Sequence, residues 1–295
     1  MGAAHAGVLD LTSLVSGANV YSFGNFNASS INVQGSIVAA GNVTLNSFSV
    51  NEKNKDAYGS YALIAGGDLN STGGKFLHGD SYVGGKTTLT GASTATPVQN
   101  GKSPVDFAAT ETKLTQTSQS LAKLSATSKA EEKWGGIYIT GSNKAVEVIN
   151  IDSSWLKNSN YYNLSGMAKG ATLIVNVSGS SAVLHDGYDA FNGYNVLFNL
   201  SSATSLAINT GVNFSLLAPN AVANGGGGSV SGNVVVDSWA ASSMRLSGTN
   251  NFQAVDVQGF AAAVPEPATS AMLLAGLGMI GLIGRRRQKA AAAAR

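Results

Sequence analysis

Three stretches of this chain repeat one pattern of apolar residues, a glycine, a polar turn residue and then β-formers: Val38 to Leu45, Leu63 to Leu69 and Tyr82 to Leu89. Their glycines Gly41, Gly67 and Gly85 stand 26 and 18 residues apart, the scale of one coil of a β-solenoid whose corners vary in length. Glycine suits corners with positive φ, and Asn or Asp tolerates the same geometry. Strands this short favour stacked coils, because each buries its inner face only against the next. With 36 Gly, abundant Ser, Thr and Asn, and only 12% charged residues, the composition suits turns and strands.

Ser103 to Lys133 changes character: it contains no Gly and places Phe107, Leu114, Leu121 and Leu124 on one helical face. Ser103 before Pro104, with Asp106 three positions on, predicts the start of a helix over about 104–133, laid along a sheet face. After Trp134-Gly135-Gly136 the β-type runs resume at Ile137 to Ile139, Val146 to Ile151, Thr172 to Val177, Tyr194 to Leu200, Leu206 to Ile208, Phe214 to Asn220 and Val234 to Ser238. Val146 to Ile151 and Thr172 to Val177 alternate at period two, as half-buried strands do.

The end of the chain has a different logic. Val264-Pro265-Glu266-Pro267 precedes 17 uncharged residues, Ala268 to Gly284, and then Arg285-Arg286-Arg287-Gln288-Lys289. As a helix the run reaches about 25 Å, the lower limit for spanning a bilayer core. It is apolar all round, which argues against a surface-lying helix, and Pro265 and Pro267 stop it from continuing upstream. Flanking Lys and Arg resist translocation, so residues before Val264 are expected outside the cytoplasm. The order of these parts resembles the PEP-CTERM sorting signal of Gram-negative bacteria. That resemblance implies an exosortase-type membrane enzyme as partner, cleavage near the Pro-Glu-Pro signature, and transient anchoring in the inner membrane; a plain stop-transfer anchor is the alternative. Met1 to Ala6, with Ala4 and Ala6 around His5, resembles the end of a signal peptide, so residues 1–6 are expected to be its remnant.

The body resembles the choice-of-anchor A family of bacterial surface domains. The likeness lies in Tyr21 to Phe26, Val33 to Asn42, the helix after Pro104, and Phe198 through Leu217-Ala218-Pro219-Asn220 to Val234. The resemblance implies an adhesin with a right-handed parallel β-helix and an accompanying helix. The expected architecture is therefore mainly β: a β-helix body over 7–263 with the helix at 104–133, a sorting signal over 264–289 with a transmembrane helix at 268–284, and a tail at 290–295.

Charge and chemistry narrow the function. Five of the 18 basic residues (Arg285, Arg286, Arg287, Lys289 and Arg295) and one of the 16 acidic ones (Glu266) follow Ala263, which leaves the body at a net charge of −2 and excludes a nucleic-acid binder by electrostatics. No Cys means no disulfides and no thiolate metal sites. His78-Gly79-Asp80 and His185-Asp186-Gly187-Tyr188-Asp189 lack the ligand spacing of a metal site and the partners of a catalytic His, so no metal, cofactor or catalytic residue is expected. Thr87-Thr88-Leu89-Thr90 and Thr94-Ala95-Thr96 do not repeat at coil spacing, which argues against an ice-binding face. Tyr58, Tyr61, Trp155, Tyr161 and Tyr162 are the aromatics expected at the surface, where ring faces beside hydroxyls and amides suit carbohydrate. The reading is a non-catalytic exported adhesin or matrix protein that binds exopolysaccharide. The alternatives are a polysaccharide-processing enzyme using Asp186, Asp189 and His185, and a self-assembling coat protein. Neutralising Arg285, Arg286 and Arg287 should disturb retention or processing of the tail; an unchanged mature mass and location of the exported protein would refute this.

Overall fold

The computed structural model describes residues 6–262; the sorting signal at 264–289, its expected span at 268–284 and residues 1–5 lie outside the described residues. The described residues form one compact unit. Among the described residues no helix is long and apolar enough to cross a membrane.

The glycine-punctuated repeats become parallel ladders. Val20–Ser22, Ile37–Ala39, Tyr61–Ala65 and Asp80–Val83 pair in register, so that Tyr21, Val38, Ile64 and Tyr82 form one column. Beyond the corner, Phe26–Gly35, Val43–Lys55, Leu69–Phe76 and Thr87–Ser93 form a second ladder, with Phe26, Val43, Leu69 and Thr87 aligned. The corner itself is a hydrogen-bonded column. Gly41, Gly67 and Gly85 donate their N–H groups to the carbonyls of Gly24, Gly41 and Gly67 at 2.9–3.0 Å. Beside them, the side-chain oxygens of Asn25, Asn42 and Asp68 accept the N–H groups of Asn42, Asp68 and Lys86 at 2.7–2.8 Å. Gly24-Asn25 thus opens the series. A Cβ on Gly67 would collide with the Asn42 side-chain oxygen, which is why the corner needs glycine there.

Chain order and stack order differ. Val146–Asp152, Thr172–Ser178, Asn195–Asn199, the start of Ser215–Gly225 and Val234–Trp239 pair successively in parallel, and Val234 then pairs with Val20. The strands of the C-terminal half therefore stack on Val20–Ser22. In stack order the chain starts in the middle at Val20–Ser22, adds strands in one direction as far as Thr87–Ser93, crosses to the far end at Val146–Asp152, and adds strands back to the middle.

The crossing is made by a helix. Two short helices, α1 (Leu11–Leu14) and α3 (Ser153–Asn158), flank the long α2, which spans Phe107–Ala122 rather than 104–133. Asp106 is its N-cap, accepting from the Ala109 N–H at 3.1 Å, while Ser103 bonds only to Val105. The apolar stripe stops at Leu124, and Lys129–Lys133 instead pairs antiparallel with Gly136–Thr140. With no further apolar residue on that face, nothing would hold a longer helix to the sheet.

At about 24 Å, α2 covers roughly five strand spacings. Its Leu114 and Leu121 pack with Tyr21, Val38, Ile64, Ile174, Leu197 and Leu217 on the outer face of the first ladder, while Val20, Leu63, Leu173 and Leu216 fill the interior. Thr172–Val177 is therefore buried on both faces rather than half-buried as its alternation predicts. Asn150, Asn176 and Asn199 stand one above another: Asn176 donates to the Asn150 amide oxygen at 3.1 Å and Asn199 to that of Asn176 at 2.8 Å. The same amides donate to the Leu121 and Ser118 carbonyls in the last turn of α2 at 2.8 and 2.9 Å. Removing a rung of this buried ladder strands several polar groups. Asn199→Ala should lower the unfolding free energy by about 2–4 kcal/mol in denaturant titration, and the exposed Asn27→Ala by under about 0.5 kcal/mol.

Candidate functional site

The segment between α2 and the stack folds into a small sheet of its own. Lys129–Lys133 pairs antiparallel with Gly136–Thr140, which pairs in parallel with Tyr161–Ser165. Ile137, Ile139 and Tyr162 face inward and are buried in the core. The other face carries three rows across the strands: Lys133, Gly136 and Tyr161; Glu131, Tyr138 and Asn163; Lys129, Thr140 and Ser165. At ordinary strand spacings this is a platform of about 10 by 13 Å.

Its aromatic part is held in place. The two-residue turn Trp134-Gly135 has φ of 53° and 75°, as the tightest antiparallel hairpins require. Asn or Gly normally takes the first position, and a Trp there costs about 1–2 kcal/mol of backbone strain. The residue kept at that cost is 81% exposed. Its ring meets Tyr138 edge-on at 5.7 Å, and Tyr138 meets Tyr161 at 5.9 Å. The Tyr161 ring lies across Gly136, where a Cβ would fall 2.5 Å from it. The two phenols share a hydrogen bond of 2.6 Å, which pushes the Tyr161 hydroxyl up from its usual range and keeps it neutral. The Lys133 ammonium lies 5.1 Å from the Trp134 ring centre and 4.7 Å from that of Tyr138, and pairs with Glu131 at 3.4 Å. Ring faces edged by hydroxyls, an amide and both charge signs suit a ligand with apolar C–H faces and many hydroxyls.

A buried carboxylate anchors the platform. Glu147, fully buried, accepts from the hydroxyls of Thr127 and Ser128 before the hairpin, and from the N–H groups of Ser142 and Lys144 and the Ser142 hydroxyl after it. Burial alone pushes its carboxyl up; these donors outweigh that and bring it to about 2, against an ordinary 4.5.

A groove of about 330 Å³ near the end of α2 brings Trp155, Asp152, Asn150, Asn176, Ser178 and Ser202 together. The Asp152 carboxyl is held below its usual range by the Ser154 hydroxyl and N–H and by the Ser178 hydroxyl.

The remaining expected residues fall differently. Tyr161 is exposed, Trp155, Tyr58 and Tyr61 are half-buried, and Tyr162 is buried against Tyr188 and Phe191 because it faces the core side of its strand. Trp134, the most exposed aromatic among the described residues, is not among those expected at the surface; the strain of its hairpin position is the signal that finds it. His185 pairs with Asp186 at 3.2 Å, and His78 lies six strands away, about 29 Å along the stack, so the two clusters do not meet. Asp80 accepts from Ser60 and Thr96 and braces its own turn. No group of His, Asp and Glu that would hold a metal occurs among the described residues.

The threonines of Thr87 to Thr90 form no continuous ladder, because Thr88 stacks on Asn70, Thr87 on Leu69 and only Thr90 on another threonine, Thr72. Asn27, Thr44, Asn70 and Thr88 form one exposed column, and Ser29, Asn46, Thr72 and Thr90 a second, two residues along. The exposed columns are mixed rows of Asn, Ser and Thr.

A family model described as "Putative Ice-binding-like adhesive domain" matches residues 12–247, and a model of the PEP-CTERM protein-sorting motif matches residues 263–288. No curated protein and no solved structure matches the chain. Because Glu147 binds protons less readily folded than unfolded, its contribution is full above about pH 4.5 and is lost as pH falls towards 2; Glu147→Gln should remove up to about 3 kcal/mol and flatten that part of the pH–stability curve.

Proposed function

We propose that this chain, which belongs to the ice-binding-like adhesive domain family, is an exported surface adhesin that holds extracellular polysaccharide without cleaving it. The family match and the sorting motif support a protein exported to the cell surface, and the motif implies processing by an exosortase-type membrane enzyme. On this reading Val264, Pro265, Glu266 and Pro267 form the recognition signature, Arg285, Arg286 and Arg287 stay in the cytoplasm, and the apolar run anchors the chain in the inner membrane until it is processed. The parallel ladders are read as coils of a right-handed β-helix of the choice-of-anchor A kind, with α2 laid along one side.

The observation that carries the carbohydrate reading is the platform of Trp134, Tyr138 and Tyr161. A sugar ring stacks its C–H face on an exposed indole or phenol, while its hydroxyls bond to Asn163, Ser165 and the tyrosine hydroxyls. The rings are immobilised beforehand by the hairpin and by Gly136, so binding loses little side-chain freedom. The groove beside Trp155 offers the same chemistry on a smaller scale, and the Asn and Thr columns add a flat polar face.

Residues 1–262, incubated with the host's exopolysaccharide, should bind it with no new reducing or unsaturated ends. Trp134→Ala combined with Tyr161→Ala should weaken binding at least about tenfold at unchanged thermal stability. Undiminished binding by the double variant would refute the platform. New ends that vanish with Asp186→Asn would make the protein an enzyme.

A further inference from the structure

The two ends of the strand stack are finished differently. At one end, Thr127 and Ser128 donate their N–H groups to the Val148 carbonyl, and the outermost strand is Lys129–Lys133, antiparallel and bearing Lys129, Glu131, Glu132 and Lys133. Charges on an edge strand resist the addition of another. At the other end the first ladder is closed by Gln99, which accepts from the Val83 N–H at 3.0 Å and donates to the Ser81 carbonyl at 2.8 Å. The neighbouring strand Thr87–Ser93 pairs only with Leu69–Phe76, and its outer edge has no partner among the described residues. It carries no charge and no proline, and its Leu89, in the otherwise inward column of Ala28, Leu45 and Ser71, is 37% exposed.

We infer that the edge Thr87–Thr90, the extended part of this strand before it bends at Gly91 with φ of 61°, pairs with the same edge of a second copy of this chain. Its unbonded N–H and C=O groups match those of an identical strand laid antiparallel across a two-fold axis, and Leu89 is then covered by its equivalent. The occupant is a second copy in this orientation because the charged far end cannot accept the edge head-to-tail. The contact therefore closes at two chains and does not propagate.

The direction of the contact adds to adhesion. Gly259 lies against Leu124 at the end of α2, whose Leu121 carbonyl is bonded by Asn176. That level is seven strands from Asp80–Val83, about 34 Å along the stack from the open end. Two copies joined edge to edge leave Gly259 of each at opposite extremes, the arrangement of a contact between chains displayed on facing surfaces. This inference is independent of carbohydrate binding and is tested without any.

Sedimentation equilibrium of residues 1–262, a compact unit with its own core, should show the mass doubling and then levelling off over about 1–300 µM. Leu89→Lys and, separately, Thr90→Lys should shift the midpoint at least about tenfold upward with unchanged thermal unfolding, while Trp134→Ala leaves it in place. Beads carrying the wild-type chain should clump with each other, and Leu89→Lys beads should not. A monomer at every concentration, a dimer indifferent to both lysine variants, or growth into polymers would each overturn the inference.

Discussion

In-register parallel stacking is the constraint on which the rest depends. It places each residue directly above its partner in the next strand, so every position must tolerate a neighbour of its own kind. Apolar columns such as Val20, Ile37 and Leu63 meet this by interlocking. Polar columns meet it by bonding upward, as Asn25, Asn42 and Asp68 do at the corner and Asn150, Asn176 and Asn199 do under α2. A buried amide satisfied on both sides fixes the register where apolar residues alone would allow slippage.

The same stacking explains the helix. A ladder whose two faces are both apolar needs a second cover, and α2 supplies it while carrying the chain from one end of the stack to the other. The Asn ladder gives the Ser118 and Leu121 carbonyls near the C-terminal end of α2 an additional donor each, so strand register and helix position are set together. Pairing Val234 with Val20 then merges two sets of strands that are distant in sequence into one continuous core.

A stack also has ends, and here they separate two kinds of chemistry. One end is closed by a charged hairpin whose strained tip displays Trp134 and whose base is clamped by Glu147. The other end leaves an uncharged strand edge. The strain at Trp134 and the buried charge at Glu147 are both costs that a purely structural cap would avoid.

The sequence by itself determined the punctuation: Gly41, Gly67 and Gly85 with their polar neighbours mark real corners, the stripe through Leu121 marks a real helix, and the Pro-Glu-Pro tail marks a sorting motif matched by its family model. These are local or compositional signals, legible because φ > 0, helical periodicity and motif order each act within a few residues. Only the tertiary structure decided which residues share a column. Thr44 and Thr88 align across corners of unequal length, Thr172–Val177 is covered from outside by a helix far away in sequence, and Lys129–Lys133 becomes a strand because Gly136–Thr140 offers it an edge. Pairing across variable loops leaves no fixed period in the sequence, so the aromatic platform and the open edge exist only once the strands are stacked.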